Sequence, residues 1–404
     1  MKEFSSTENP MGADDALLRT SVARMRVIRL TALLNEIWVI LGVALLLLTI
    51  LEVSLTSYYE RADKRERQSA AKAAANSGVY ANADLAEEYF KELTDAKHRT
   101  WAPYTQTREA DYKGKFINVN DGTRRTWDSE AINDDRSTGL KIFFFGGSTL
   151  WGLGSRDDFT IPSLVAKMLA ENGIGAKVTN YAVIGDVTTQ SLIRFVIELR
   201  KRNVPDLVVF YSGSVEAFSA CYEGEPGVPL GNSNLEKRPP KKEEKARISI
   251  RLENFALIRL LTGKTQLAGC SKKLDVLSDG ALDVYLGNVR FIEAISRSLS
   301  FKTLFYLEPQ LSDKTHRTKY EEDQLLKSEK RLPGKNDLYS LMRSKLVKRE
   351  DQSLEKNVIH DLRTIFSDVA SPIYMDGGHY GEDGNERISR KIAADILALY
   401  APVK

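Results

Sequence analysis

Residues 140–150 read LKIFFFGGSTL. The short apolar run from Leu140 to Phe145 ends in two glycines. A strand buried on both faces of a parallel sheet has this form, because neither face needs polar residues. The same grammar continues downstream. TIPSLVAKMLAENG (160–173) has helical spacing, with Pro162 near its start and Gly173 at its end. KVTNYAV (177–183) predicts a second strand, TTQSLIRFVIELRKRN (188–203) a helix and DLVVFYSG (206–213) a third strand. Farther on, GALDVYLGNVRFIEAISRSL (280–299) predicts a helix, KTLFYLEP (302–309) a strand and VIHDLRTIFSDV (358–369) a helix. SPIYMD (371–376) predicts a last strand and NERISRKIAADILALY (385–400) a closing helix. Strand–helix alternation of this kind predicts a three-layer α/β/α architecture, with helices on both faces of a parallel sheet.

Two stretches interrupt the pattern. Residues 221–275 include the charged, proline-broken EKRPPKKEEKARIS (236–249), and 311–345 are also charged. Both are expected as insertions in loops, where open α/β sheets set specificity. The chain has 404 residues, with 42% hydrophobic and 28% charged residues, a globular composition. A net charge of +3, without a basic stripe carrying interleaved aromatics, gives no case for a nucleic-acid partner. The 2 cysteines, Cys221 and Cys270, and the 4 histidines, His98, His316, His360 and His379, form no metal-ligand pattern, so no metal or cofactor is expected. The cysteines either bridge, pinning the first insertion, or are two unpaired buried thiols. His98, His316 and His360 are expected as surface or packing residues.

Near the N-terminus, IWVILGVALLLLTIL (37–51) carries no charge and the apolar stretch continues to Leu55. It approaches the roughly 20 residues that span a bilayer. Trp38 and the Tyr58-Tyr59 pair flank it as an interfacial aromatic belt would, and Glu52 lies near its outer edge. A core helix would show a polar face, and a signal peptide a shorter preceding tail and a small-x-small cleavage site. The expected organisation is a tail over 1–35, a transmembrane helix over 36–57, a juxtamembrane helical stalk and extended segment over 58–135, and an α/β domain over 136–404. Basic residues stand on both sides of the span, Arg19, Arg24, Arg26 and Arg29 before it and Arg61, Lys64, Arg65 and Arg67 after it, so charge does not orient it. FINVNDGTRRTW (116–127) is expected to be extended around a turn at Asp121-Gly122.

Three short segments carry candidate chemistry. Ser148 follows a strand and two glycines, at the carboxyl end where α/β active sites form; the Walker pattern is absent, because no Gly-Lys-Ser/Thr follows. Asp376-Gly-Gly-His379 offers a base and an orienting carboxylate in one loop. NYAVIG (180–185) offers a backbone N–H at Gly185 for an oxyanion.

Together these segments resemble the SGNH (GDSL-like) hydrolase family over roughly residues 115–404. Ser148 matches the block of the nucleophile, Gly185 the block of an oxyanion N–H donor, and Asp376 with His379 the Asp-x-x-His block. VNDGTRRT (119–126), with Gly122 and Arg124, is similar to the segment preceding the domain in membrane-anchored members. One block departs: in YSGSVEAF (211–218) Gly213 fits and Glu216 is in keeping, but Val215 stands where the family's Gly-x-Asn places a donor amide. Ser212, Ser214 or Asn180 is then the replacement donor, or the domain is slow or inactive.

The resemblance implies a single-pass inner- or plasma-membrane protein with an N-terminal cytoplasmic tail and an extracytoplasmic, periplasmic domain. It implies a serine esterase or O-acyltransferase working through an acyl-serine, with acyl groups of a cell-envelope or exported polysaccharide as substrate. The rivals are a catalytically impaired binding or scaffold protein on the same fold, and a lipid esterase.

Overall fold

The computed structural model describes residues 11–96, 99–128, 139–230, 257, 260, 269–349 and 358–400. Contacts divide the chain into two compact units, Met1–Arg67 with Lys245–Thr265 and Gln68–Glu244 with Gln266–Lys404. The expected 236–249 break and His98 lie outside the described residues.

The first unit is dominated by helix α1 (Met11–Ala75). From Ile37 to Leu51 its large apolar side chains stand exposed, and it is long and apolar enough to cross a membrane.

In the second unit, the last residues of α1, Ala74 and Ala75, and helix α2 (Ala83–Ala96) are buried in the core through Ala86, Tyr89, Phe90 and Leu93. Strands β1 (Arg99–Ala102) and β2 (Gln106–Glu109) form an antiparallel hairpin. Strands β3 (Tyr112–Lys113), β4 (Asn118–Asn120) and β5 (Thr123–Arg124) then join the main sheet. The segment expected as a stalk is therefore built into the α/β domain from Gln68 onward. The turn at Asp121-Gly122 stands as expected, with φ of 48° and 75° at the two residues, the left-handed pair that a tight hairpin requires.

The main sheet continues through β6 (Leu140–Gly146), β7 (Ala176–Asn180), β8 (Leu207–Ser212), β9 (Lys302–Leu307) and β10 (Ile359–Asp361). Its spatial order is β10-β9-β8-β6-β7-β5-β4-β3. The five strands from β6 to β10 pair in parallel, in the doubly wound order 2-1-3-4-5, while β5, β4 and β3 add antiparallel strands at one edge. The sheet is thus mixed and mainly parallel rather than wholly parallel.

The middle strand separates two cores by its period of two. Ile142 and Phe144 face a layer that includes α2, α4 (Ile161–Glu171) and α10 (Glu382–Tyr400). Phe143 and Phe145 face α5 (Thr188–Arg200), α6 (Ser214–Glu223) and α7 (Leu274–Leu299). Between β6 and α4 lies the one-turn helix α3 (Ser148–Trp151).

Several expectations are corrected. VIHDLRTIFSDV opens as strand β10, paired to Phe305–Leu307, and continues as turns, because its β-branched start completes the parallel ladder. His360 accordingly sits in β10, stacked on Tyr306. SPIYMD is not a sheet strand and makes only a bridge between Tyr374 and Tyr380. The buried Glu321 carboxylate accepts the Ile373 and Tyr374 N–H groups at 2.9 and 3.2 Å, where a neighbouring strand would have done so. The 311–345 insertion is not a plain loop: it folds into α8 (Lys319–Arg331) and α9 (Lys335–Lys348).

Cys221 and Cys270 form a disulfide with a sequence separation of 49. Closing a loop of that length restricts the unfolded chain by about 4 kcal/mol on the chain-entropy account. Cys221→Ser/Cys270→Ser should therefore lower the urea midpoint of the detergent-solubilised chain; an unmoved midpoint would show that the bridge contributes nothing.

Candidate active site

The strand order reverses between β6 and β8, and the crevice opens at their carboxyl ends, as the topology requires. Gly146 ends β6 against the β8 backbone: a Cβ there would lie 2.2 Å from the Tyr211 carbonyl oxygen. That close approach turns the chain so that Ser148 opens α3. The Ser148 N–H is then one of the first-turn amides that a helix leaves without an internal partner.

Asp376, Gly377, Gly378 and His379 lie across the crevice. Ser148 Oγ is 2.7 Å from His379 Nε2, and His379 Nδ1 is 2.9 and 2.8 Å from the two oxygens of Asp376. The Asp376 carboxylate also accepts the N–H groups of Gly378 and His379 at 2.9 and 2.8 Å. Burial would raise this carboxyl, but the charge and hydrogen bond of His379 and the two amides outweigh it and hold it below the usual carboxylate range. An ionised Asp376 accepts from Nδ1–H, which leaves the Nε2 lone pair to receive the Ser148 hydroxyl.

Gly185 lines the same crevice, a cleft of about 420 Å³. Its φ of +84° is one that L side chains rarely adopt, and its N–H has no acceptor among the described residues. The neighbouring residue is clamped from the β1–β2 hairpin. Arg99 Nη1 donates to the Ile184 carbonyl at 2.8 Å, and Glu109 Oε1 accepts the Ile184 N–H at 2.8 Å. Gln190 Nε2 and Arg194 Nη2 of α5 donate to the carbonyls of Thr105 and Thr107 at 2.7 and 3.1 Å, and Arg194 also pairs with Asp186 at 2.9 Å.

The substitute donors considered for the missing amide are otherwise engaged. Asn180 is buried; its Nδ2 donates to the Leu150 carbonyl at 3.1 Å and its Oδ1 accepts from Ala182 N–H at 3.1 Å, so it braces α3 away from the cleft. Ser212 is buried beside Thr188, with 3.0 Å between the hydroxyls. Ser214 lines the cleft, but its N–H (3.2 Å) and its hydroxyl both donate to the buried Glu308. Val215 lines the cleft too, packed so closely that a Cβ on Gly147 would meet its Cγ2 at 2.9 Å.

Two buried acids beneath the site were not singled out from the sequence. Glu308, just past β9, accepts from Thr149 and Ser214 and so ties the residue after Ser148 to the start of α6. Burial pushes its carboxyl up, with the hydroxyls of Ser214 and Thr149 opposing. Its one sequence signal is an acid at the end of the apolar strand KTLFYL. Glu109 had no such signal, lying in a segment without regular apolar spacing.

Arg124 also has a definite place. Its buried guanidinium meets Asp157 at 3.0 Å and the carbonyls of Trp151, Gly152 and Ser155 at 3.0, 2.8 and 2.6 Å, and stacks on the Trp151 ring at 4.3 Å.

No protein-family model and no curated protein matches the chain. Among solved structures it is similar to an acetyl xylan esterase, AlAXEase, at 14% identity and TM-score 0.36, over 64% of this chain and 100% of that one. It is also similar to the lipase/acylhydrolase of Enterococcus faecalis at 14% identity and TM-score 0.37, over 66% and 99%. An acetylxylan esterase of Geobacillus stearothermophilus matches at 12% identity and TM-score 0.35, over 64% and 94%.

Burial pushes Glu109 up to about 7, with the Ile184 N–H and Arg99 opposing and Asp186 adding to the rise. A carboxyl raised on folding makes the native state hold a proton that the unfolded chain has released, so stability falls as pH rises from the ordinary carboxylate range to about 7. Glu109→Gln keeps an acceptor for Ile184 and removes the titration. The loss of stability between about pH 5 and about pH 8 should shrink in this variant, by up to about 3 kcal/mol. Denaturant unfolding at the two pH values measures it, and an equal fall in both proteins would exclude Glu109 as its source.

Proposed function

We propose that this chain is a membrane-anchored serine esterase or O-acyltransferase of the SGNH type. The observation that carries the proposal is the line of contacts from Ser148 Oγ to His379 Nε2 and from His379 Nδ1 to Asp376. Ser148 Oγ attacks an acyl carbonyl while His379 Nε2 takes its proton, and Asp376 holds the ring and offsets the positive charge. The Ser148 and Gly185 N–H groups receive the oxyanion. His379 then returns the proton to the leaving alkoxide, giving an acyl-serine. Water or a second hydroxyl, deprotonated by the same histidine, releases the acyl group by hydrolysis or transfer.

The substrate class we propose is an acyl ester, acetyl included, on a cell-envelope or exported polysaccharide. An anchor from Ile37 to Leu55 would keep the site beside such polymers, with the domain on the extracytoplasmic face of the inner or plasma membrane. The Cys221–Cys270 disulfide supports that side, since such bonds persist in oxidising compartments.

The full chain in detergent should react with a fluorophosphonate probe and turn over a small aryl acetate, and Ser148→Ala should lose both. A folded wild-type chain that neither labels nor turns over would overturn the enzyme reading in favour of a binding protein. Long-chain lipid esters turned over in preference to acyl sugars would make it a lipid esterase.

Val215 leaves the oxyanion with backbone donors alone. An oxyanion-hole donor is worth about 10²–10³ in rate. Val215→Asn, which sets an amide at the cleft wall, should raise kcat on the aryl acetate about tenfold or more; a kcat at or below that of wild type would show that the oxyanion lies elsewhere.

A further inference from the structure

The wall of the cleft opposite β6 comes from the insertion, and its chemistry is one-sided. Gln324, Lys327, Ser328 and Arg331 line the cleft from α8. They stand at positions i, i+3, i+4 and i+7, which puts them on one helix face. This face is polar and cationic, with Gln324 and Ser328 half-buried and Lys327 and Arg331 exposed at the cleft. Lys335 joins it from the first turn of α9, half-buried, with Nζ 3.2 Å from Ser328 Oγ. Ser328 in turn abuts the loop of the candidate base: a Cβ on Gly377 would lie 2.5 Å from its Oγ. The cations are thus one side chain away from Asp376 and His379.

These cations differ from the deepest ones in the chain, since Lys327 and Arg331 are exposed and Lys335 is half-buried. The fully buried ones are matched, Arg124 by Asp157, Lys314 by Glu321 and Arg343 by Asp313. Among the described residues, Lys327, Arg331 and Lys335 have no carboxylate within ion-pair distance. The carboxylate nearest in sequence, Glu329, accepts the Gly334 N–H at 2.7 Å instead. Among the described residues Asp376 is the only acid lining the cleft, and it is held by His379. Burial lowers Lys335, and the charge of Arg331 lowers it further, against Asp376 and Glu329. Cations gathered on one wall of a cleft, without carboxylates to offset them, set up a positive field that draws an anion.

We propose that Lys327, Arg331 and Lys335 form an anion subsite of this cleft, so that the acyl ester processed at Ser148 is carried on a glycan bearing a carboxylate or phosphate group. This rests on the esterase or acyltransferase reading and adds the charge of the substrate to it. A planar carboxylate suits a bidentate guanidinium, and a phosphate suits the ammonium pair equally well.

Kinetics on the full chain in detergent test it with four acetyl esters: a neutral aryl acetate, a neutral acetylated xylo-oligosaccharide, an acetylated oligogalacturonate and an acetylated sugar phosphate. Wild type should prefer a charged ester over the neutral oligosaccharide, with the preference in KM and eroded by salt. The galacturonate and phosphate arms tell the two anions apart. In Lys327→Ala/Arg331→Ala the ratio of kcat/KM for charged over neutral sugar ester should fall about ten- to hundredfold, since hydrogen bonds to charged groups are of that order. Lys327→Arg/Arg331→Lys should retain the ratio, separating lost charge from misfolding. Equal kcat/KM of wild type on charged and neutral sugar esters, or an unchanged ratio in the alanine variant, overturns the subsite. If wild type also fails on the aryl acetate, the catalytic reading has failed instead. The subsite is then decided by calorimetric binding of the unacetylated oligogalacturonate and of inorganic phosphate to wild type and the alanine variant: charge-dependent binding supports it, and no binding removes it.

Discussion

The buried guanidinium of Arg124 is the contact on which the candidate site depends most. It neutralises Asp157 and gathers three carbonyls from the turn that follows Ser148. A guanidinium this deep is tolerable only if every face finds a partner, and its flat side finds Trp151. Asp157 in turn accepts the Asn118 N–H and side-chain amide at 3.2 and 2.9 Å, so the same cluster fixes β4. A segment preceding the α/β alternation thereby becomes part of the wall behind the serine. Loss of either charge would strand the other in the interior, the costly way to break a buried pair.

The same segment reaches the opposite side of the crevice. The β1–β2 hairpin clamps Ile184 with Arg99 and Glu109, and Gly185 follows directly. Glu308 links Thr149 to Ser214 from below. The donors around the candidate oxyanion position are therefore backbone groups with fixed surroundings. Electrostatic stabilisation needs such preorganisation, because dipoles already aimed need not reorganise during reaction. The insertion closes the third side with α8 and α9, and the cations of that wall bring charge where the sheet itself supplies none.

Much of this was legible beforehand. The run LKIFFFGG and the strands around Val208 and Leu304 announce themselves, because strands covered on both faces must be apolar throughout. Ser148 and Gly185 stand just past strands, Asp376 and His379 in a loop marked by two glycines, and the structure brings all of them to one cleft. The segments misread are those where tertiary context outweighed local pattern. VIHD pairs with β9 despite a helical continuation, and SPIYMD is partnered by the Glu321 carboxylate in place of a neighbouring strand.

The amino-acid sequence by itself determined the parallel core, the apolar N-terminal helix and the loops that carry the candidate triad, because these follow from local periodicity and from turns that only small residues make. Tertiary structure alone decided that Arg124, Glu109 and Glu308 surround the site, that Asn180 and Ser214 are spent on scaffolding, and that the α8 face lines the cleft with cations. Those facts depend on which distant polar groups meet once the chain is buried, and a buried charge or amide reveals its role only when its partner is in place.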